Sequence, residues 1–122
     1  MNCPYVIDPE REIVYLIAHG DVHPSELIHT LRAIKRDPAY QRTYNILADL
    51  RTMDAPFMNG DLRILAYYFG SLSDMLLGRF ALVTKAEDLP LYLKWVALLL
   101  PLGLKVSHFT LLSDAEHWIN DL

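Results

Sequence analysis

The sequence predicts an α/β domain of order ββαβαβαβα, built on a mixed, mostly parallel five-stranded sheet with helices packed on it. Three observations carry that expectation. Strand-like and helix-like segments alternate from residue 24 onward, which calls for crossover connections and parallel strands. The strand-like segments are nearly continuous in apolar residues, as in strands covered on both faces. The opening segment instead places two β-rich runs around a short polar turn, the pattern of a hairpin.

Taken in order, Tyr5, Val6 and Ile7 are β-formers, and Asp8, Pro9, Glu10 and Arg11 make the turn. Residues 13–18 form the second strand, broken by His19, Gly20 and Asp21. Pro24 and Ser25 open the first helix, with Glu26 at the end where the helix dipole favours negative charge. Leu27, Ile28, Leu31 and Ile34 form its buried stripe. Asp37 and Pro38 stop it. Residues 45–49 read as a short buried strand, and residues 51–60 as a loop punctuated by Pro56 and Gly60.

Asp61 is placed to cap a second helix over 61–72, and Gly70 and Gly78 bracket its end. Phe80, Ala81, Leu82 and Val83 make the fourth strand. Asp88 is placed to cap a third helix over 88–102, with Pro90 at a favoured early position and a stop near Pro101 and Gly103. Val106, Phe109, Leu111 and Leu112 form the fifth strand. Ser113 then caps a short final helix, with Glu116 at the capping-box position.

A chain of 122 residues fits one domain spanning 1–122, and 52% hydrophobic content exceeds what one small core needs. Eleven basic against fifteen acidic residues give a net charge of -4, which argues against binding a nucleic-acid backbone. The basic residues Arg32, Lys35, Arg36 and Arg42 are interrupted by Asp37 and read as a solvated face. The single cysteine, Cys3, excludes an internal disulfide and reads as a small apolar residue opening a strand. The first nine residues lack the basic and apolar regions of a signal peptide. The apolar run at 89–104 contains Lys94 and Pro101 and is too short to span a bilayer. These features lead to the expectation of a soluble cytoplasmic chain with no transmembrane segment.

Several segments together resemble the STAS family, the bacterial anti-anti-sigma (SpoIIAA-like) and sulfate-transporter regulatory domains. They are the opening hairpin, the His19-Gly20-Asp21 break, Asp37-Pro38-Ala39-Tyr40, the strand end Ile46-Leu47-Ala48-Asp49-Leu50-Arg51, Phe80-Ala81-Leu82-Val83, and the ending Ser113-Asp114-Ala115-Glu116-His117-Trp118-Ile119. The resemblance implies a regulatory domain. In anti-anti-sigma members the loop after the third strand carries a serine that a partner kinase phosphorylates. The matching loop here has Asp54 followed by Ala55, and Thr52 is its only hydroxyl, so the switch is not expected. The chain is more similar to the divergent SpoIIAA-like branch, which lacks the serine and is likened to the CRAL-TRIO type of lipid-binding domain.

The second and third helices are the most informative feature. Residues 62–69 have almost no polar face beyond Arg63, and residues 89–102 only Lys94. One sheet in so small a domain cannot cover both completely. A second subunit, a lipid-like ligand or a membrane surface would cover the rest, unless the helices merely pack on each other. Candidate binding residues are Leu65, Tyr68, Phe69, Tyr92, Trp95 and Leu99. The expected function is a non-enzymatic regulatory or protein-interaction module, a homodimer through these helices. The alternative is a carrier or sensor of a small apolar, lipid-like ligand held under them. On either reading, Trp95→Glu or a charge at Leu99 would disrupt binding and leave much of the fold intact.

Asp49 and Arg51 stand at a strand end, where α/β folds place ligands, and Arg79 is expected close by. With Thr52 and Asp54 they form a candidate polar site for a head group or phosphate; a plainer reading is a salt bridge that fixes the loop. His19, Asp21, His23 and His29 read as a polar strand end and helix start, so no metal is expected. No serine sits in a nucleophile elbow and no glycine-rich phosphate loop is present, so neither a cofactor nor catalysis is expected.

Overall fold

A computed structural model describes residues 2–120. The strands are β1 (Tyr5–Asp8), β2 (Ile13–Gly20), β3 (Asn45–Met53), β4 (Arg79–Val83) and β5 (Lys105–Phe109). The helices are α1 (Pro24–Arg36), α2 (Asn59–Ser71), α3 (Leu89–Leu99) and α4 (Leu112–Asn120). Short 3₁₀ turns lie at Ser73–Met75, Ala86–Asp88 and Leu100–Leu102.

The sheet has the order β1-β2-β3-β4-β5, with β1 antiparallel to β2 and every other pair parallel. Strands that add one after another in the same direction, through crossovers of one hand, put all the crossover helices on one face. The core divides accordingly. Leu27, Leu31 and Ile34 of α1, Leu65 and Phe69 of α2, and Tyr92, Trp95 and Leu99 of α3 share one cluster with Val14, Ile46 and Phe80 of the sheet. On the other face α4 packs alone, through Ala115 and Ile119, against Ile13, Leu47, Ala81 and Val83. The register explains the division: Val14 pairs with Ile46, Ile46 with Phe80, and Phe80 with Val106, giving one apolar row toward the three helices.

Several boundaries differ from the sequence expectation. β2 and β3 run on to Gly20 and Met53, because Thr52 and Met53 pair with His19 and Gly20 after a bulge between Ile17 and His19. Of the residues read as breakers, His19 and Gly20 belong to the strand, whose end is still paired, and Asp21 lies just beyond it. α1 is capped by His23, whose Nδ1 accepts from the Ser25 N–H, while Glu26 accepts from the His23 N–H. α2 begins after Met58; Asp61 stands in its first turn and accepts the Met58 N–H at 3.3 Å. Asp88 makes no capping bond, since a 3₁₀ turn leads directly into α3. The third helix stops at Leu99, and the 3₁₀ turn carrying Pro101 closes on Gly103, whose φ of 87° is left-handed. Leu111 and Leu112 lie beyond β5, and Ser113 sits inside α4 instead of preceding it.

Candidate functional site

α2 and α3 lie side by side over β4 and β5, and their residues sort by helical period. On α2, Leu62, Leu65, Ala66 and Phe69 are buried; on α3, Tyr92, Trp95, Val96 and Leu99 are. Of the six apolar residues expected to meet a partner or ligand, Leu65, Phe69, Tyr92, Trp95 and Leu99 are each at most 2% exposed. The Trp95 ring meets Phe69 edge-on at 5.2 Å and Phe80 at 6.5 Å, and Phe69 meets Phe80 at 5.2 Å. Such aromatic contacts add roughly 0.5–1.5 kcal/mol each beyond the area they bury. Tyr92 is also spent inside: its hydroxyl accepts the Phe57 N–H at 3.3 Å, and burial pushes its pKa up to about 12. Tyr68 is half-buried, with the Arg32 guanidinium 5.4 Å from the centre of its ring.

The expectation that a charge at Trp95 or Leu99 would spare the fold is therefore corrected. Both side chains are core, and a carboxylate there would be buried without a partner. What α2, α3 and the 3₁₀ turn after α3 show to solvent is a different set: Ile64, Tyr67, Leu93, Leu98, Leu100 and Leu102, with Tyr67 at 84% exposure. Sequence reasoning ranked the largest apolar residues and missed this set. Removing the inward stripe at three- and four-residue spacing would have exposed it.

Two depressions border these helices. One, of about 280 Å³, lies between α2 and α3 and is lined by Asn59, Leu62, Arg63, Lys94, Trp95 and Leu98. The other, of about 330 Å³, lies between α2 and the turn that follows α3 and is lined by Ala66, Tyr67, Gly70, Ser71 and Leu102. A further depression of about 410 Å³ lies along one flank of α4, beside Ser113, Glu116, His117 and Asn120.

The polar candidates do not all converge. Arg51 grips Asp49 with two side-chain bonds, Nε to Oδ1 at 2.9 Å and Nη2 to Oδ2 at 2.8 Å, and its backbone N–H adds a third at 3.0 Å. Burial alone would raise the Asp49 carboxyl, but these hydrogen bonds and the Arg51 charge hold it below its ordinary value. Arg79 is not beside them. β3 and β4 run parallel with Ile46 opposite Phe80 and Asp49 opposite Val83, so Arg79 stands at the other end of the sheet. There its backbone N–H donates to Asn45 Oδ1 at 2.8 Å, and its guanidinium donates to the Trp118 carbonyl. Thr52 is an exposed strand residue whose hydroxyl donates to the Ala18 carbonyl at 3.4 Å, and Asp54 is exposed just beyond the strand.

Cys3 is buried, and burial foremost pushes its thiol up to about 11, far from a thiolate nucleophile. Among the described residues no group of three His, Cys, Asp or Glu side chains is placed to hold a metal ion, and no helix is long and apolar enough to cross a membrane. A comparison of the sequence with protein-family models gives no match, and a comparison with curated protein sequences gives none either.

Proposed function

We propose that the chain is a non-enzymatic protein-interaction module that docks through the outer face of α2 and α3, with a second copy of itself as the partner. The observation that carries this reading is the set of large apolar side chains left in solvent on α2, on α3 and on the turn that follows α3: Ile64, Tyr67, Leu93, Leu98, Leu100 and Leu102. Large apolar side chains exposed together on neighbouring elements mark an interaction site where they join into one patch. Sealing a half-exposed leucine-sized side chain is worth roughly 1 kcal/mol or a little more. Six of them compete with an association cost of roughly 4–15 kcal/mol. The balance favours a reversible, concentration-dependent dimer over an obligate one.

Two further considerations support the reading. The resemblance to STAS domains points to a regulatory, non-catalytic role. Two of the polar groups in this part of the molecule are engaged within the fold, the Asp49 carboxylate by Arg51 and the Tyr92 hydroxyl by the Phe57 N–H. The alternative of an apolar ligand enclosed beneath the helices is favoured less, because Trp95, Phe69 and Phe80 fill that space with one another.

Sedimentation velocity over a wide concentration range tests the proposal, with Leu93→Glu/Leu100→Glu as the control. The wild type should pass from monomer to dimer, and the double variant should stay monomeric with an unchanged circular dichroism spectrum. A wild type that is monomeric throughout would remove self-association, and a dimer indifferent to both substitutions would place the interface elsewhere.

A further inference from the structure

We infer that His108 and Thr84 form a proton-operated latch: the neutral imidazole holds the end of β5 to the connection between β4 and α3, and protonation releases it. The latch is independent of the docking reading.

Leu82 and Val106 face the three helices, and His108 pairs with Leu82, so its side chain leaves the sheet on that same face. His108 is partly buried, and β5 is the last strand of the sheet, with a free outer edge. Thr84, the residue after β4, is only 1% exposed. Its hydroxyl has two acceptors in reach, His108 Nε2 at 2.6 Å and the Lys85 carbonyl at 3.3 Å. The nearer one takes the proton, so in the neutral ring Nε2 accepts.

The bond sits at a junction. The Thr84 N–H donates to the Phe109 carbonyl at 3.0 Å, and Lys85 Nζ donates to the Met53 carbonyl at 3.0 Å. The ends of β3, β4 and β5 are thereby tied to the 3₁₀ turn that leads into α3.

A protonated ring has no acceptor at Nε2. The Thr84 proton must then turn to the more distant Lys85 carbonyl, and a cation is left partly buried with no counter-charge. The charged and titratable groups on the elements packed against this face of β5 are Lys85, Glu87 and Asp88 in the lead-in and Tyr92 and Lys94 on α3; none bonds the ring. Asp114, Glu116 and His117 belong to α4, on the opposite face. The free edge of β5 gives the cation a way out to water. Burial, which outweighs a hydrogen bond from the ring to its own backbone, holds the imidazole below its ordinary value. The unfolded chain therefore takes up the proton first. The latch is whole above the unfolded value of about 6.5 and is lost as pH falls through the folded one.

Side-chain nitrogen spectra of the histidines, followed with the backbone amides from about pH 8 to about pH 5, test the inference. At the upper end His108 should carry its proton on Nδ1. It should titrate below about 6.5, and the amide signals of Thr84, Lys85 and Phe109 should move with the same midpoint. His108→Gln should keep the fold and abolish that amide response. A proton on Nε2 at the upper end, an ordinary midpoint, or amides indifferent to the titration would each overturn the latch. So would an amide response that survives in His108→Gln, which would assign it to another histidine.

Discussion

The Arg79 guanidinium lies 5.2 Å from the centre of the Trp118 ring and donates a hydrogen bond to the Trp118 carbonyl, so one side chain ties the start of β4 to the final turn of α4. Trp118 in turn packs on Phe109 at 5.7 Å. The clasp adds to the buried contacts of Ala115 and Ile119 and to the Asn45–Ile119 hydrogen bond in holding α4 on its face of the sheet. Arg79→Ala should cost about 1–2 kcal/mol, the sum of a cation–π contact and a hydrogen bond. Urea unfolding measures it, and a loss below about 0.3 kcal/mol would show that Ala115 and Ile119 hold α4 unaided.

Trp95 and Tyr67 give a second, contrasting pair. Trp95→Ala should destabilise by about 3–5 kcal/mol, since it opens a cavity between Phe69 and Phe80. Tyr67→Ala, at a side chain 84% exposed, should stay within about 0.5 kcal/mol of wild type. Thermal unfolding of the two variants at one dilute concentration checks this. A mild Trp95→Ala would contradict the packing described for α3.

The Asp49–Arg51 pair makes a claim about acid stability. The folded-state carboxyl lies below its ordinary value, so the unfolded chain takes up the proton first as pH falls. The contribution is whole above the unfolded value, near pH 4, and is lost as pH drops through the folded one. Asp49→Asn should therefore flatten the decline in urea midpoint between about pH 5 and pH 2 and lower the plateau near neutrality. Parallel curves for variant and wild type would mean the pair contributes nothing across that window.

Gly78 and Gly70 should respond oppositely to alanine. A Cβ at Gly78 would sit 2.3 Å from the Tyr44 carbonyl oxygen, a backbone atom that cannot step aside. At Gly70 the obstacle is the end of the flexible Leu102 side chain at 3.1 Å, and alanine is the better helix former by about 1 kcal/mol. Gly78→Ala should thus be strongly destabilising and Gly70→Ala neutral or stabilising, as read from melting temperatures. The reverse order would place the Tyr44 backbone elsewhere.

The architecture was legible because its signals are periodic. Residues 13–18 and 80–83 are almost unbroken in apolar side chains, and Leu27, Leu31 and Ile34 mark one face of α1. Boundaries were harder where a tertiary pairing decided them. Thr52 looks like loop until His19 is known to pair with it, and Asp61 looks like a cap until its carboxylate is seen to reach back to Met58. The site was only half legible. Composition pointed to α2 and α3, yet the largest residues, Trp95 and Phe69, face inward, and the exposed ones are ordinary leucines whose positions only the helix orientation reveals. Arg79 was misplaced for a related reason: a residue just before a parallel strand stands at the opposite end of the sheet from a residue that ends the preceding strand.

The strand order has a consequence for how the molecule is made. Each strand of β1-β2-β3-β4-β5 joins the one synthesised just before it, so the sheet grows at one edge and never waits for a later segment to fill a gap. α4 is the exception. It turns back across finished strands, and Asn45 Nδ2 donates to the Ile119 carbonyl over 74 residues of chain. The three-helix side can consequently assemble in the order of translation, with α4 as the latch that arrives after it.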